Sequence, residues 1–351
     1  MASVLSLPIE QQRKVAAVVG ACVADAAAFL FISFVFYAPL CNWISKMGKF
    51  YSNDREKGGG ARSSPGENCQ NPFYRIDNGK KKLSMGTKGL NTDHLIQVTY
   101  ETFGPDSEYE NRVTNQYVVG EEKIDLKPTL PIHAPWRHGC VKDFLKNLQQ
   151  NKSPPGSLND DQIDCAIRII PVVALYAGHP DLLVKVEEAL RVLQDCDLPV
   201  AVGLAMARVL EQYILNGDPE DVLTTVVAAL SDRSRSNPQD LDVAVKGQIR
   251  QVIQARKLPH TEAVSNVFFF FHPDLPEAMQ STLHGLITAT GYVDGIRSTI
   301  KAGGCNASRS GFIGACMAAK GLDAIPERWK TRTLRYEEVL NLALRLLHIK
   351  V

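Results

Sequence analysis

From Val141 to the C-terminus, apolar residues recur with the spacing of one helix face in segment after segment, joined by short polar connections. A chain patterned this way has little room for a sheet. The spacing predicts helices over Val141–Gln149, Leu182–Leu193, Val200–Leu215, Val222–Leu230, Leu241–Ala255, Glu262–Phe271, Pro276–Thr290, Tyr292–Ala302, Phe312–Lys320 and Tyr336–His348. Another is predicted over Leu158–Tyr176, with Ile163, Ala166, Ile167, Ile170, Val173 and Ala174 on one face and a bend at Pro171. Ser157 or Asn159 would cap it, and Asp160 and Asp161 would occupy its first turn. A shorter candidate covers His94–Phe103. No period of solenoid length repeats. The expected fold class is all-α, a compact multi-helix bundle forming a single domain over residues 1–351.

The N-terminal region is less regular. Val15–Leu40 is nearly all apolar and follows Arg13 and Lys14, so it meets the length criterion for a membrane span. Asp25 lies in the middle of the run, where a charge is costly in lipid. Its first part, VAAVVGACVADAAA, is rich in small residues, as in a helix packed closely within a core. A membrane helix is therefore the weaker reading. Residues 52–82 contain GGGARSSPGEN and DNGKKK and are expected to form a loop.

The net charge is +1, so no overall field favours nucleic acid or anionic lipid. The eight cysteines are scattered, with no CxxC pair and no zinc spacing. In a chain of this size they read as reduced thiols, which predicts a cytoplasmic protein. His133, His138, His179, His272 and His284 lack ligand spacing and are read as surface or capping residues.

The most informative stretch is GGCNASRSGFIGACMAAKGLDAIPERW, from Gly303 to Trp329. A glycine pair feeds a helix, and Gly314, Ala315, Ala318 and Ala319 form a stripe of small residues that lets a second helix approach closely. This stretch resembles the C-terminal signature of ADP-ribosylglycohydrolases. GACVADAAA (Gly20–Ala28) resembles the family's first helix, with Asp25 at its acidic position. NPFYRIDNGKKKLSMGTKGLNTDHLIQVTYETF (Asn71–Phe103) and AGHPDLLVKVEEALRVLQ (Ala177–Gln194) match further segments. The GG-x-N-x-SR pattern at Gly303–Arg309 is similar to the branch holding selenoprotein J and the jellyfish J-crystallins, and Cys305 falls at or near the selenocysteine position. Against that branch, FLFISFVFY (Phe29–Tyr37) reads as an insertion.

The resemblance implies the ADP-ribosylglycohydrolase fold. It also implies chemistry that this chain has partly lost. Active relatives use two magnesium ions held by aspartates, because magnesium demands hard oxygen ligands. Here the two C-terminal aspartates align with Cys305 and Ala307, and a threonine aligns with Ser308. A thiol is a poor magnesium ligand and alanine offers none. Of the N-terminal motif only Thr92 and Asp93 persist, followed by His94. No cofactor and no metal site is therefore expected, although magnesium serves the active relatives. Candidate catalytic residues are Cys305 and Asp93, and candidate ligand-binding residues are Asp25, Asn306, Ser308 and Arg309. ADP-ribose or a related small molecule is the expected partner. The leading reading is a structural, non-hydrolytic protein of the J-crystallin kind. Three alternatives stay open: a retained hydrolase, a thiol enzyme acting through Cys305 beside the helix start and Arg309, and an ADP-ribose-binding pseudoenzyme.

Overall fold

Helical spacing becomes helix almost segment for segment in the computed structural model, which describes residues 2–28, 74–77, 80–83, 139–232, 234–235, 237–268, 274–302, 306–333 and 335–351. The order is α1 (Ala2–Leu5), α2 (Ile9–Ala28), β1 (Tyr74–Asp77), β2 (Lys80–Leu83), α3 (Gly139–Gln149), α4 (Cys165–Arg168), α5 (Ile170–Tyr176) and α6 (Leu182–Arg191). It continues with α7 (Asp197–Asn216), α8 (Val222–Ala229), α9 (Asp242–Ala255), α10 (His260–Asn266), α11 (Glu277–Thr288) and α12 (Tyr292–Ala302). The chain closes with α13 (Asn306–Ala319), a 3-10 turn at Leu322–Ala324, α14 (Glu327–Lys330) and α15 (Tyr336–Leu346). The fold is all-α, as expected.

The centre of the molecule is the crossing of α2 with α13. Every residue from Val15 to Ala28 on α2 is buried, and so is every residue of α13. Both helices are built from Gly, Ala and small polar residues, so their backbones can meet. A Cβ on Gly20 would lie 2.6 Å from the Gly314 carbonyl oxygen, and a Cβ on Gly314 would lie 2.7 Å from the Gly20 carbonyl oxygen. The small-residue stripes foreseen in the two segments are thus the two halves of one contact. Such a contact gains dispersion energy from many close atom pairs and little from bulky apolar area. Around this pair pack α5, α7, α11, α12 and α15. The expected core role of Val15–Ala28 holds, with Asp25 itself fully buried. The bulky stretch Phe29–Tyr37, the helix candidate His94–Phe103 and most of the 52–82 loop lie outside the described residues.

Helix α7 is long and apolar enough to cross a membrane, but 78% of its apolar window is buried inside the protein. It is a core helix, closed by Gly217 at φ +80°, a backbone region that favours glycine. Arg13 of α2 donates to the Leu215 carbonyl at 2.8 Å and so satisfies one of the open acceptors at the α7 end.

Two expectations change. The predicted helix over Leu158–Tyr176 begins only at Cys165 and is split into α4 and α5, with Pro171 in the first turn of α5. Neither Ser157 nor Asn159 caps it, and Asp160 lies in an irregular stretch instead. Within the expected loop, Tyr74–Asp77 pairs antiparallel with Lys80–Leu83, in register Tyr74↔Leu83 to Asp77↔Lys80. Two residues, Asn78 and Gly79, join the strands, a dipeptide strongly favoured in hairpin connections. Strands of four residues are too short to show a clear alternation in the sequence, so only the turn is visible there.

Tyr292 locks α12 onto the crossing. Its hydroxyl donates to the Gly20 carbonyl at 2.7 Å, and its ring lies 6.0 Å from that of buried Trp329. Tyr292→Phe keeps the ring packing and removes the hydroxyl. We expect a loss of about 1 kcal/mol in urea unfolding, the usual net worth of one buried hydrogen bond.

Candidate functional site

The buried polar side chains supplied by the glycine-fed helix divide by the sides of α13. Ser308 is 1% exposed and donates its hydroxyl proton to Asp164 Oδ1 at 2.7 Å. Asp164 immediately precedes α4 and forms an ion pair with Arg168 at 3.9 Å. On the same side Gly311 leaves room for Ile167 of α4 and for Asp25 of α2. A Cβ on Gly311 would be 2.7 Å from Ile167 Cδ1 and 3.8 Å from Asp25 Cβ. Ser308 and Asp164 are thus bonded across α13 and the start of α4, and Asp25 of α2 lies beside Gly311 one turn further along α13.

A second group lies toward α11 and α12. Arg309, fully buried, donates to Ser281 of α11, to Asn306 Oδ1 at 3.0 Å and to the Thr299 carbonyl of α12 at 3.4 Å. The structure thus brings Asn306 and Arg309 together and turns them to a different set of neighbours from Ser308. Cys305 and Asp93, with Thr92 and His94, lie outside the described residues.

Next to Asp164 runs a polar ring not anticipated from the sequence. Arg168 donates to Gln194 Oε1 at 2.5 Å, and Gln194 donates to Asp160 Oδ1 at 2.7 Å. Asp160 Oδ2 accepts the Cys140 N–H at 2.8 Å, and Arg168 reaches the Cys140 sulfur at 2.8 Å. Asp160 thereby caps the start of α3, which explains why it does not serve the helix that follows it. The signal in the sequence was Arg168, a lone cation within the apolar run from Ile163 to Tyr176. A charge there must find partners, and it does. Burial pushes the Cys140 thiol up to about 12, against the opposing pull of Arg168. Cys165 and Cys316 are likewise raised by burial. These thiols are unreactive core groups. Cys22, Cys140, Cys165, Cys196 and Cys316 are all free thiols, and Cys196 is partly exposed.

The histidine reading needs one correction. His179 sits beside a helix start and accepts the Asp181 N–H at 3.2 Å, as a capping residue does. His284, expected at the surface, is fully buried and faces His260.

The donor set can be compared with a magnesium centre. Ala307 is 3% exposed and carries no ligand atom, and Ser308 directs its hydroxyl into Asp164. Among the described residues, no group of three His, Cys, Asp or Glu side chains could hold a metal ion. The described residues do not fit a dinuclear magnesium site.

Comparison with known proteins concerns the family and the fold. The ADP-ribosylglycohydrolase family model matches residues 7–350, nearly the whole chain. The chain belongs to the ADP-ribosylglycohydrolase family. Within that family it is 30% identical over 351 residues to Crystallin J1A of Tripedalia cystophora, covering 96% of each chain. It is 28% identical to Crystallin J1B of the same animal, covering 97% of each. A solved structure described as an ADP-ribosylglycohydrolase-related protein complex superposes with a TM-score of 0.59 at 17% identity, over 98% of this chain and 100% of that one. That likeness concerns the fold.

Proposed function

We propose that this chain is a non-hydrolytic member of the ADP-ribosylglycohydrolase family with a structural role of the crystallin kind. The observation that carries the proposal is Ala307, a buried methyl group at the position where the resemblance to active relatives implies a metal-binding carboxylate. Without that oxygen a dinuclear magnesium centre lacks a ligand, and among the described residues no group of three His, Cys, Asp or Glu side chains is placed to hold a metal ion. A water activated by paired metal ions is the chemistry lost with it. The likeness to two crystallins over nearly their full length supports the structural half of the reading. A protein used in bulk needs a cooperative, durable fold more than an open cleft. The backbone-contact crossing of α2 and α13 and the buried Arg168 and Arg309 networks supply that fold. The five described cysteines are free thiols and four of them are buried, which supports a cytoplasmic location.

The test is a release assay on an ADP-ribosylated protein substrate with magnesium in excess. We expect no free ADP-ribose above the rate without protein. Magnesium-dependent multiple turnover, abolished by a chelator, would overturn the proposal. Turnover that persists in chelator and disappears in Cys305→Ser would instead establish the thiol reading.

A further inference from the structure

Apart from the residues already considered, two buried histidines face each other across α10 and α11. His260 Nδ1 and His284 Nδ1 are 3.1 Å apart, and the rings stack with centroids 5.4 Å apart. His284 Nε2 lies 3.1 Å from the Ala255 carbonyl at the end of α9. A carbonyl only accepts, so His284 carries its proton on Nε2. Neutral His284 then offers Nδ1 as an acceptor, and His260 must carry its proton on Nδ1 and donate. The remaining lone pair of His260 is on Nε2, which is buried and has no hydrogen-bond partner. The Thr299 hydroxyl of α12 is also buried and without a partner. Both groups lie beside Gly285, where a Cβ would be 3.1 Å from His260 Cε1 and 3.2 Å from Thr299 Oγ1.

We propose that the His260–His284 pair is a proton-responsive latch, which holds α10 and α11 against α12 and α13 when both rings are neutral and loosens them on acidification. The hydrogen-bond chain, in which His260 donates to His284 and His284 donates to the Ala255 carbonyl, works with two neutral rings in fixed tautomers. A second proton on the pair puts an imidazolium into the core beside Arg309. Of the elements around His260, α13 presents the Arg309 cation, α11 presents His284, α12 presents the neutral Thr299 and α9 presents the Ala255 carbonyl. Burial, then Arg309, then His284 all hold His260 well below the ordinary imidazole range. Burial also lowers His284, against the Ala255 carbonyl, which raises it. Because the folded values are depressed, the unfolded or loosened segment binds more protons once the pH falls below about 6.5, the free imidazole value. Full stability is therefore present above that pH and is lost as pH falls toward the depressed values. The effect is local to this segment, because the α2–α13 crossing is formed by glycine and alanine backbones and has no histidine in it.

The experiment uses the full chain in two measurements. Nitrogen-15 spectra of the histidine rings at about pH 7.5 should show one ring in the Nδ1–H form and a partner in the Nε2–H form, both harder to protonate than a free imidazole at about 6.5 and His260 the harder of the two. Amide exchange, corrected for intrinsic rates, should then show 260–268 and 277–288 losing protection at least about tenfold between roughly pH 7.5 and 5 while residues 15–28 keep theirs. In His260→Asn, whose amide can still donate toward His284, that selective loss should shrink to less than about twofold. The proposal fails if both rings titrate near the free value, if protection falls equally in all helices, or if the segment does not loosen. Should His260→Asn not fold, the ring spectra and exchange of the unaltered chain decide alone.

Discussion

Replacing Gly314 with leucine is expected to abolish folding, and Gly20→Ala or Gly314→Ala to destabilise by about 3 kcal/mol or more. The direction is not obvious from helix propensity, since alanine is the better helix former by about 1 kcal/mol. At this crossing the new Cβ meets backbone: the Gly314 carbonyl from one side and the Gly20 carbonyl from the other, at 2.6 and 2.7 Å. No flexible side-chain end can move aside, so the two central helices must separate, and the helices packed on them lose contact together. Gly247, in the middle of α9, provides the contrast because a Cβ there meets nothing within 4 Å. Gly247→Ala should stabilise by roughly 0.5–1 kcal/mol. Urea midpoints of the three alanine variants check the account, and opposite signs at Gly247 and Gly314 are the expected result. A neutral Gly314→Ala would show that the crossing is looser than described.

Arg309→Ala should cost about 3 kcal/mol or more. Truncation removes the donor to Ser281, Asn306 Oδ1 and the Thr299 carbonyl, all buried on three elements, and leaves a cavity where a fully buried guanidinium was. Each buried polar group left unsatisfied costs about 1–3 kcal/mol, and the cavity adds to it. Arg309→Lys should recover less than half of the loss, because a single ammonium cannot span three acceptors held in a fixed fork. The same variants separate two roles for this arginine. If Arg309 serves mainly to bind a phosphate, Arg309→Ala keeps its unfolding midpoint and loses only ADP-ribose affinity. If it ties α13 to α11 and α12, the midpoint falls in the absence of any ligand.

How legible these features were depended on whether the deciding partner is local. The helices after Val141 were readable because each carries its own apolar stripe, and Tyr292–Ala302 has the predicted bounds. The stripes on α2 and α13 were readable as surfaces for close approach, but the sequence does not say that each is the other's partner across nearly three hundred residues. The start of α4 was misplaced because Asp160 and Asp161 look like a helix first turn. Their real surroundings include Gln194 and Cys140, far away along the chain. The sequence places His284 at the surface for the same reason. Its meaning depends on His260 and the Ala255 carbonyl, and a polar residue on a helix shows burial only when its partner is known. The Asn78-Gly79 pair is a local turn signal, but the four-residue strands on either side of it are too short to carry an alternating pattern distinct from a loop.

Calorimetric titration of the full chain with magnesium, with and without ADP-ribose, tests most directly the proposal that this family member lacks the metal chemistry of its active relatives. With Ala307 buried and ligand-free and Ser308 bonded to Asp164, no micromolar magnesium binding is expected in either case, and weak millimolar heats at most. A stoichiometric micromolar site, above all one of two ions per chain that strengthens with ADP-ribose, would contradict the account.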